Sequence, residues 1–595
     1  MTRRIARWSL LFLTLCLLSP VLAEQGKAKS RGKRDNLKAL ASALGEGGAQ
    51  PVRTEMVPMR DGVKLATDIV LPKGEGKWPV ILMRTPYGRN SEDGLSVAGG
   101  VMAKVGYAIV SQDLRGRGDS EGEDYPIFAS CGWGELQDGY DTIEWIAKQP
   151  WCNGKIGQFG ASALGISANA TAPSRPPHLV CQFVVVAASD LYKQGATWNG
   201  TPRKALTEGW IRNTKLDPRN LELWRAHPDY DDFWKKYAPE LVADRVNVPV
   251  CFVGGWYDIF TQGTIDSFVT IHHRGDNGAR GKCRLIMGPW AHGDFKDKTM
   301  KYPSNANMML QVPELLGWFN KWCKGIDLEP NRPAVRYYVM GACGEPNAPG
   351  NVWRDAEDWP PPSEPTPYYF HKGGKLSPDK PTEARASATY KYDPNNPVPT
   401  RGGGNLTIEK GPMDQREVEK RDDVILFTTP VLTEPIEVTG RLMVKLWAAS
   451  DGKDTDFTAK LCDVYPDGRS MLVLDGIVSG RYRESMTAAK PMEPGKVYPF
   501  EIDLWSTSIV FNKGHRIRVA ISSSNYPRFE ANPNTGKPRA EGGKIRVAKN
   551  TIYFDRSRPS HIVLPRVVRT TAVSGGSDLK TTIEQGGGRT ARRSE

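Results

Sequence analysis

Ser162 lies in a frame of glycines, GKIGQFGASALGIS (154–167), directly behind a short apolar run. Serine is a weak nucleophile unless a base within hydrogen-bond reach takes its proton and an acid orients that base. The sharp strand-to-helix turn that presents a nucleophilic serine reads G-x-S-x-G. Here Gly160 is in place, but Ala163 and Leu164 follow Ser162 and the second glycine arrives one position late, at Gly165. Gly157 and Gly160 permit a tight turn. The N–H of Ala163, at the start of the following helix, would point at a developing oxyanion, with the positive end of the helix behind it. An acid and a histidine should then follow in that order, each after a later strand. VPVCFVGGWYDIF supplies Asp258 and CRLIMGPWAHGD supplies His292. Asp190 also follows an apolar strand and is the rival acid. His272 and His273 fall in a helical pattern, and His515 and His561 lie in the strand-rich second half.

These residues need a layered scaffold. From about residue 55, strand-like runs (VKLATDIVLP, WPVILMRT, GYAIVSQD, GKIGQFG, LVCQFVVVAA, NVPVCFVGG, CRLIMGP) alternate with helical patterns such as DGYDTIEWIAKQP. Several are continuously apolar, as parallel strands buried on both faces are. Such alternation predicts an α/β domain over 53–330. The Trp-rich, helical stretch at about 190–245 interrupts the rhythm and reads as a cap over the sheet's carboxyl edge. From 334 to 568 many short alternating segments, separated by turn residues, predict an antiparallel β-sandwich of jelly-roll type. WPPPSEPTP and TRGGGNLTIEKG are loops within it, and residues 575–595 read as a disordered tail.

The chain has 595 residues, 39% of them hydrophobic, with 17 Trp and 20 Tyr, which is a globular composition of more than one domain. Part of its formal charge of +13 sits at the ends, six Lys and Arg against three acids in residues 24–50 alone. Solvated termini account for this better than a nucleic-acid partner. MTRRIARWSLLFLTLCLLSPVLAEQ has the basic start, apolar run and small-residue end of a secretory signal. Cleavage is expected near Ala23, leaving a basic leader at 24–52, no membrane span and an exported protein. Eight cysteines remain beyond residue 23, without CxxC pairs or zinc-ligand spacing. Cys181 and Cys251 read as buried thiols, and a Cys131–Cys152 bridge is left open. Asp454 and Asp456 read as an exposed loop, and no metal or organic cofactor is expected.

Taken together the motifs resemble the cocaine esterase and X-prolyl dipeptidyl-peptidase superfamily, over roughly residues 55–565. Its elbow, G-x-S-Y-x-G, has the late glycine. RTPYGR matches its R-x-P-Y segment and DLRGRGDSEG (113–122) its D-x-R-G-x-G-x-S-x-G turn, while GGWYDIF and GPWAHGD match the acid and histidine segments. The resemblance implies an α/β-hydrolase domain with an inserted helical cap, followed by an all-β jelly roll. It implies Ser162, Asp258 and His292 as catalytic residues, with Tyr87 O–H and the Ala163 N–H as the oxyanion hole. Phe260 matches an aromatic that lines the acyl pocket, and Trp290 is expected there with it. Ala163 departs from the family's usual tyrosine. Ile259, Phe260 and Thr261 stand where α-amino acid ester hydrolases carry a W-D-x-E-D pattern, which argues against α-amino esters. Acids of the cap such as Glu208 are the candidates to substitute. The expected activity is an acyl-enzyme ester hydrolase for a small-molecule substrate with a compact acyl group. An X-prolyl dipeptidyl-peptidase acting on short peptides is the second reading, and a non-catalytic glycan- or surface-binding protein the third. A homo-oligomer is compatible with the sequence.

Overall fold

The computed structural model describes residues 48–89, 100–293, 300–537, 539 and 544–568. The expected signal peptide, most of the basic leader and the tail lie outside them.

The first domain is built on one mixed sheet. Its strands are β1 (Arg53–Pro58), β2 (Lys64–Val70), β3 (Trp78–Thr85), β4 (Ala108–Asp113), β5 (Cys152–Ala161), β6 (Leu179–Val185), β7 (Val250–Tyr257), β8 (Arg284–Ala291), β9 (Val335–Val339) and β10 (Val352–Ala356). They lie in the order β1-β2-β4-β3-β5-β6-β7-β8-β9-β10. From β4 through β9 every neighbouring pair is parallel. β7 and β8 are buried along their whole length, which their unbroken apolar runs require. Helices α1 (Asp138–Ala147) and α2 (Ala163–Thr171) serve one apolar layer, and Leu315, Trp318 and Phe319 from the 312–324 helix fill the other. β9 and β10, read from sequence as the opening of the jelly roll, instead extend this sheet.

The second domain begins in earnest at Glu364. Eleven strands form one sheet, ten of them in a single hydrogen-bonded path; the eleventh, Tyr498–Phe511, branches from it by pairing antiparallel with Ile436–Ser450. Asp454 and Asp456 are not on an exposed loop. Both are buried, and they pair with Arg481 and Arg539, since a buried carboxylate needs a cation or donors. All eight described cysteines are buried free thiols, Cys131 and Cys152 among them.

Between β6 and β7 the chain forms the helical cap, built mainly on α3 (Lys204–Thr214) and α4 (Arg219–Ala226). The cap is tied to both domains. Trp198 stacks on Trp505 of the sandwich at 3.5 Å and 8°, with Arg203 and Arg528 both within 6 Å of the Trp198 ring. Among the described residues no helix is long and apolar enough to cross a membrane.

Candidate active site

The turn from β5 into α2 puts Ser162 in a conformation that L-residues rarely adopt, φ 56° and ψ −122°. The two framing glycines make the turn possible. A Cβ on Gly160 would lie 2.2 Å from the Leu164 carbonyl oxygen, and one on Gly165 would lie 2.8 Å from Cβ of Ala187. The late glycine is therefore where the first turn of α2 crosses the strand end. Ala163 is the first residue of α2, so its N–H has no carbonyl partner within the helix.

Asp258 follows β7 and His292 follows β8. The two strand ends approach because Gly255 has no side chain; a Cβ there would be 2.3 Å from the Trp290 carbonyl oxygen. The result is a relay: His292 Nε2 is 2.9 Å from Ser162 Oγ, and His292 Nδ1 is 2.7 Å from Asp258 Oδ2. The second oxygen of Asp258, Oδ1, accepts the Phe260 N–H at 2.7 Å. All three residues are buried. Asp190 is used otherwise, accepting from the amides of Tyr192 and Lys193 and from the Tyr230 hydroxyl. His272 and His273 lie on the helix after β7, and His515 is locked between Asp463 and Glu345.

Tyr87 sits in the loop after β3, and the D-x-R-G-x-G turn holds that loop. Arg89 donates to Asp68 and Asp113 and pairs with Asp119, at 2.9, 2.8 and 2.7 Å. Burial opposes its charge, but these aspartates raise its pKa above the ordinary arginine value. Arg117 donates to the Pro86 carbonyl and reaches the carbonyls of Thr214 and Lys215 at the end of α3. Trp210 of α3 donates its indole N–H to the Tyr87 hydroxyl oxygen at 3.1 Å. Replacing Arg89 by Met would leave buried Asp113 without its cation. The expected cost is about 3–5 kcal/mol, measured by chemical denaturation; a loss below about 1 kcal/mol would refute this account of the loop.

The serine opens on an apolar cavity. Phe128, Trp210 and Trp224 form a ladder of near-parallel rings along it, at 6.0 and 6.5 Å. Ile166, Phe260 and Leu406 also line it, and among the described residues no charged side chain does. Phe260 is thus in the pocket, edge-on to His292 at 6.0 Å between centroids. Trp290 is not. Alternation along β8 sets it with Ile286 on the face opposite Leu285, Met287 and Ala291, where its indole donates to the Ala306 carbonyl. Glu208 is also absent from the lining, because Lys204 and Arg225 hold it at 2.7 and 2.6 Å.

Sequence reasoning passed over the loop 402–411 of the second domain, which delivers Leu406 to the cavity. Its signal was the run of glycines: a Cβ on Gly404 would lie 2.6 Å from the Asp258 carbonyl oxygen. Among the described residues no group of three or more His, Cys, Asp or Glu is arranged to hold a metal.

Residues 61–220 and 212–294 match the model of the X-Pro dipeptidyl-peptidase (S15) family, and residues 330–563 match that of the X-Pro dipeptidyl-peptidase C-terminal non-catalytic domain. The chain is 34% identical to the cocaine esterase of Rhodococcus sp. (strain MB1 Bresler), over 86% of this chain and 98% of that one. Among solved structures, an α-amino acid ester hydrolase is similar with a TM-score of 0.75 at 28% identity, covering 87% of this chain and 96% of the other. An aminopeptidase from a marine sediment archaeon, Thaumarchaeota archaeon, also reaches 0.75, at 26% identity and the same coverage.

Proposed function

The chain belongs to the X-Pro dipeptidyl-peptidase (S15) and cocaine esterase family, and on that premise we propose an exported serine esterase for apolar, ring-bearing acyl groups. Ser162 attacks the ester carbonyl while His292 takes its proton, and Asp258 orients the imidazole and stabilises its cation. Tyr87 O–H and the Ala163 N–H receive the oxyanion. His292 then returns the proton to the leaving alcohol, and water activated by the same histidine releases the acid. The N-terminal signal pattern supports export.

One observation carries the substrate class: the cavity beside Ser162 is walled by rings and aliphatic side chains, and among the described residues no carboxylate lines it to receive a substrate ammonium group. An α-amino ester or a peptide N-terminus would bury its charge there unpaired. Burying a phenyl-sized group is worth about 1.5–3 kcal/mol, or roughly 10- to 150-fold in kcat/KM. The test combines fluorophosphonate labelling with p-nitrophenyl acetate, p-nitrophenyl benzoate and a Gly-Pro anilide. Labelling located to Ser162, and benzoate favoured over acetate by about tenfold or more, is the expected result. Absence of labelling would sink the serine-hydrolase reading, and a preference for the Gly-Pro anilide would replace the esterase with a dipeptidyl-peptidase.

A further inference from the structure

The glycine-rich loop of the second domain does more than close the cavity. Gly403 and Gly411 exchange backbone hydrogen bonds at 2.8 and 2.9 Å, and Asn405 braces the interior by donating to the carbonyls of Gly402 and Glu409. A strap built this way holds its shape. It is fastened to three parts of the site. Gly404 lies against the Asp258 carbonyl, and Thr407 donates to the Ala205 carbonyl of the cap at 2.6 Å. Lys410, half-buried, donates its ammonium to the backbone carbonyl of His292 at 2.6 Å.

We propose that Lys410 is a positioning residue for the catalytic histidine: anchored by the strap, it fixes the main chain that carries the imidazole. The inference rests on the reading of His292 as the base. Both ring nitrogens are already directed, one by Asp258 and one by Ser162. Those bonds set the ring's rotation, whereas the carbonyl contact sets where the ring's backbone sits. A shift of that backbone by about an ångström would break the 2.9 Å contact with Ser162 Oγ, and misplacement on that scale costs up to about a hundredfold in rate. The ammonium charge itself works the other way, because a nearby cation disfavours the imidazolium that forms during acylation. Geometry and charge therefore predict opposite outcomes when Lys410 is neutralised.

The test uses the full chain with Lys410→Met, Lys410→Gln and Lys410→Arg. Three quantities are read: the rate of fluorophosphonate labelling at Ser162, kcat and KM on the preferred p-nitrophenyl ester, and Tm. The expected result is a fall of about tenfold or more in labelling rate and kcat for both neutral variants. KM should stay within about threefold, and Lys410→Arg should recover most of the loss. Neutral variants within about twofold of the parent, or faster than it, would overturn the proposal. So would equal losses in all three variants that track a fall in Tm, since that marks a general packing defect. His292→Ala separates the two readings. Parent-like labelling in that variant removes His292 as the base, whereas loss there with parent-like Lys410→Met removes only the role of Lys410.

Discussion

Ser162→Ala is expected to lower kcat on the preferred ester by roughly 10⁴- to 10⁶-fold and to abolish fluorophosphonate labelling. Without Oγ no acyl-enzyme forms, and His292 keeps only a water to activate. What remains is the contribution of the oxyanion donors and the cavity, which in comparable sites leaves about 10³–10⁴ over the uncatalysed rate. Stability should change little. Alanine and serine carry the same Cβ, so the strained backbone at φ 56° is no worse for one than for the other. Steady-state kinetics with active-site titration gives the number. A loss below about a hundredfold would mean that another nucleophile does the work.

Asp258→Asn should cost about 10⁴ in kcat, for a reason written in the local hydrogen bonds. The carboxylate accepts twice, from the fixed backbone N–H of Phe260 at Oδ1 and from His292 Nδ1 at Oδ2. Asparagine offers one acceptor oxygen. The Phe260 amide cannot turn away, so it takes that oxygen and leaves the NH₂ facing Nδ1. The imidazole must then accept at Nδ1 and carry its proton on Nε2, where it can no longer take the proton of Ser162. Asp190→Asn is the control. It disturbs the start of the cap without touching the relay, so its effect should appear in stability more than in kcat. Comparable kcat losses in both variants would undo the assignment of the acid.

The relay was legible in the sequence because each member follows a strand that its apolar run identifies, and β7 and β8 lie side by side. The late glycine was legible as a pattern, but its cause was not. It took the distances from Gly160 to the Leu164 carbonyl and from Gly165 to Ala187 to say why the spacing works. Trp290 was misjudged because nearness to His292 in the chain suggests nearness in space, whereas alternation along β8 sets it with Ile286 on the face away from the cavity. β9 and β10 were assigned to the wrong layer, since alternating short strands look alike whether they end one sheet or begin another. The strap and Lys410 were passed over because a run of glycines reads as slack chain. Only the close approach of backbone to backbone gives such a run its meaning.

The pocket wall at Leu406 and the anchor on His292 both come from a segment that folds with the sandwich. The hydrolase half is consequently not a detachable module. Trimmed at its last strand it would keep its nucleophile, acid and histidine yet lack part of the wall against which substrate rests. A chimera that borrows the sandwich of a relative would import that relative's strap, and selectivity would travel with the half of the molecule that holds none of the relay.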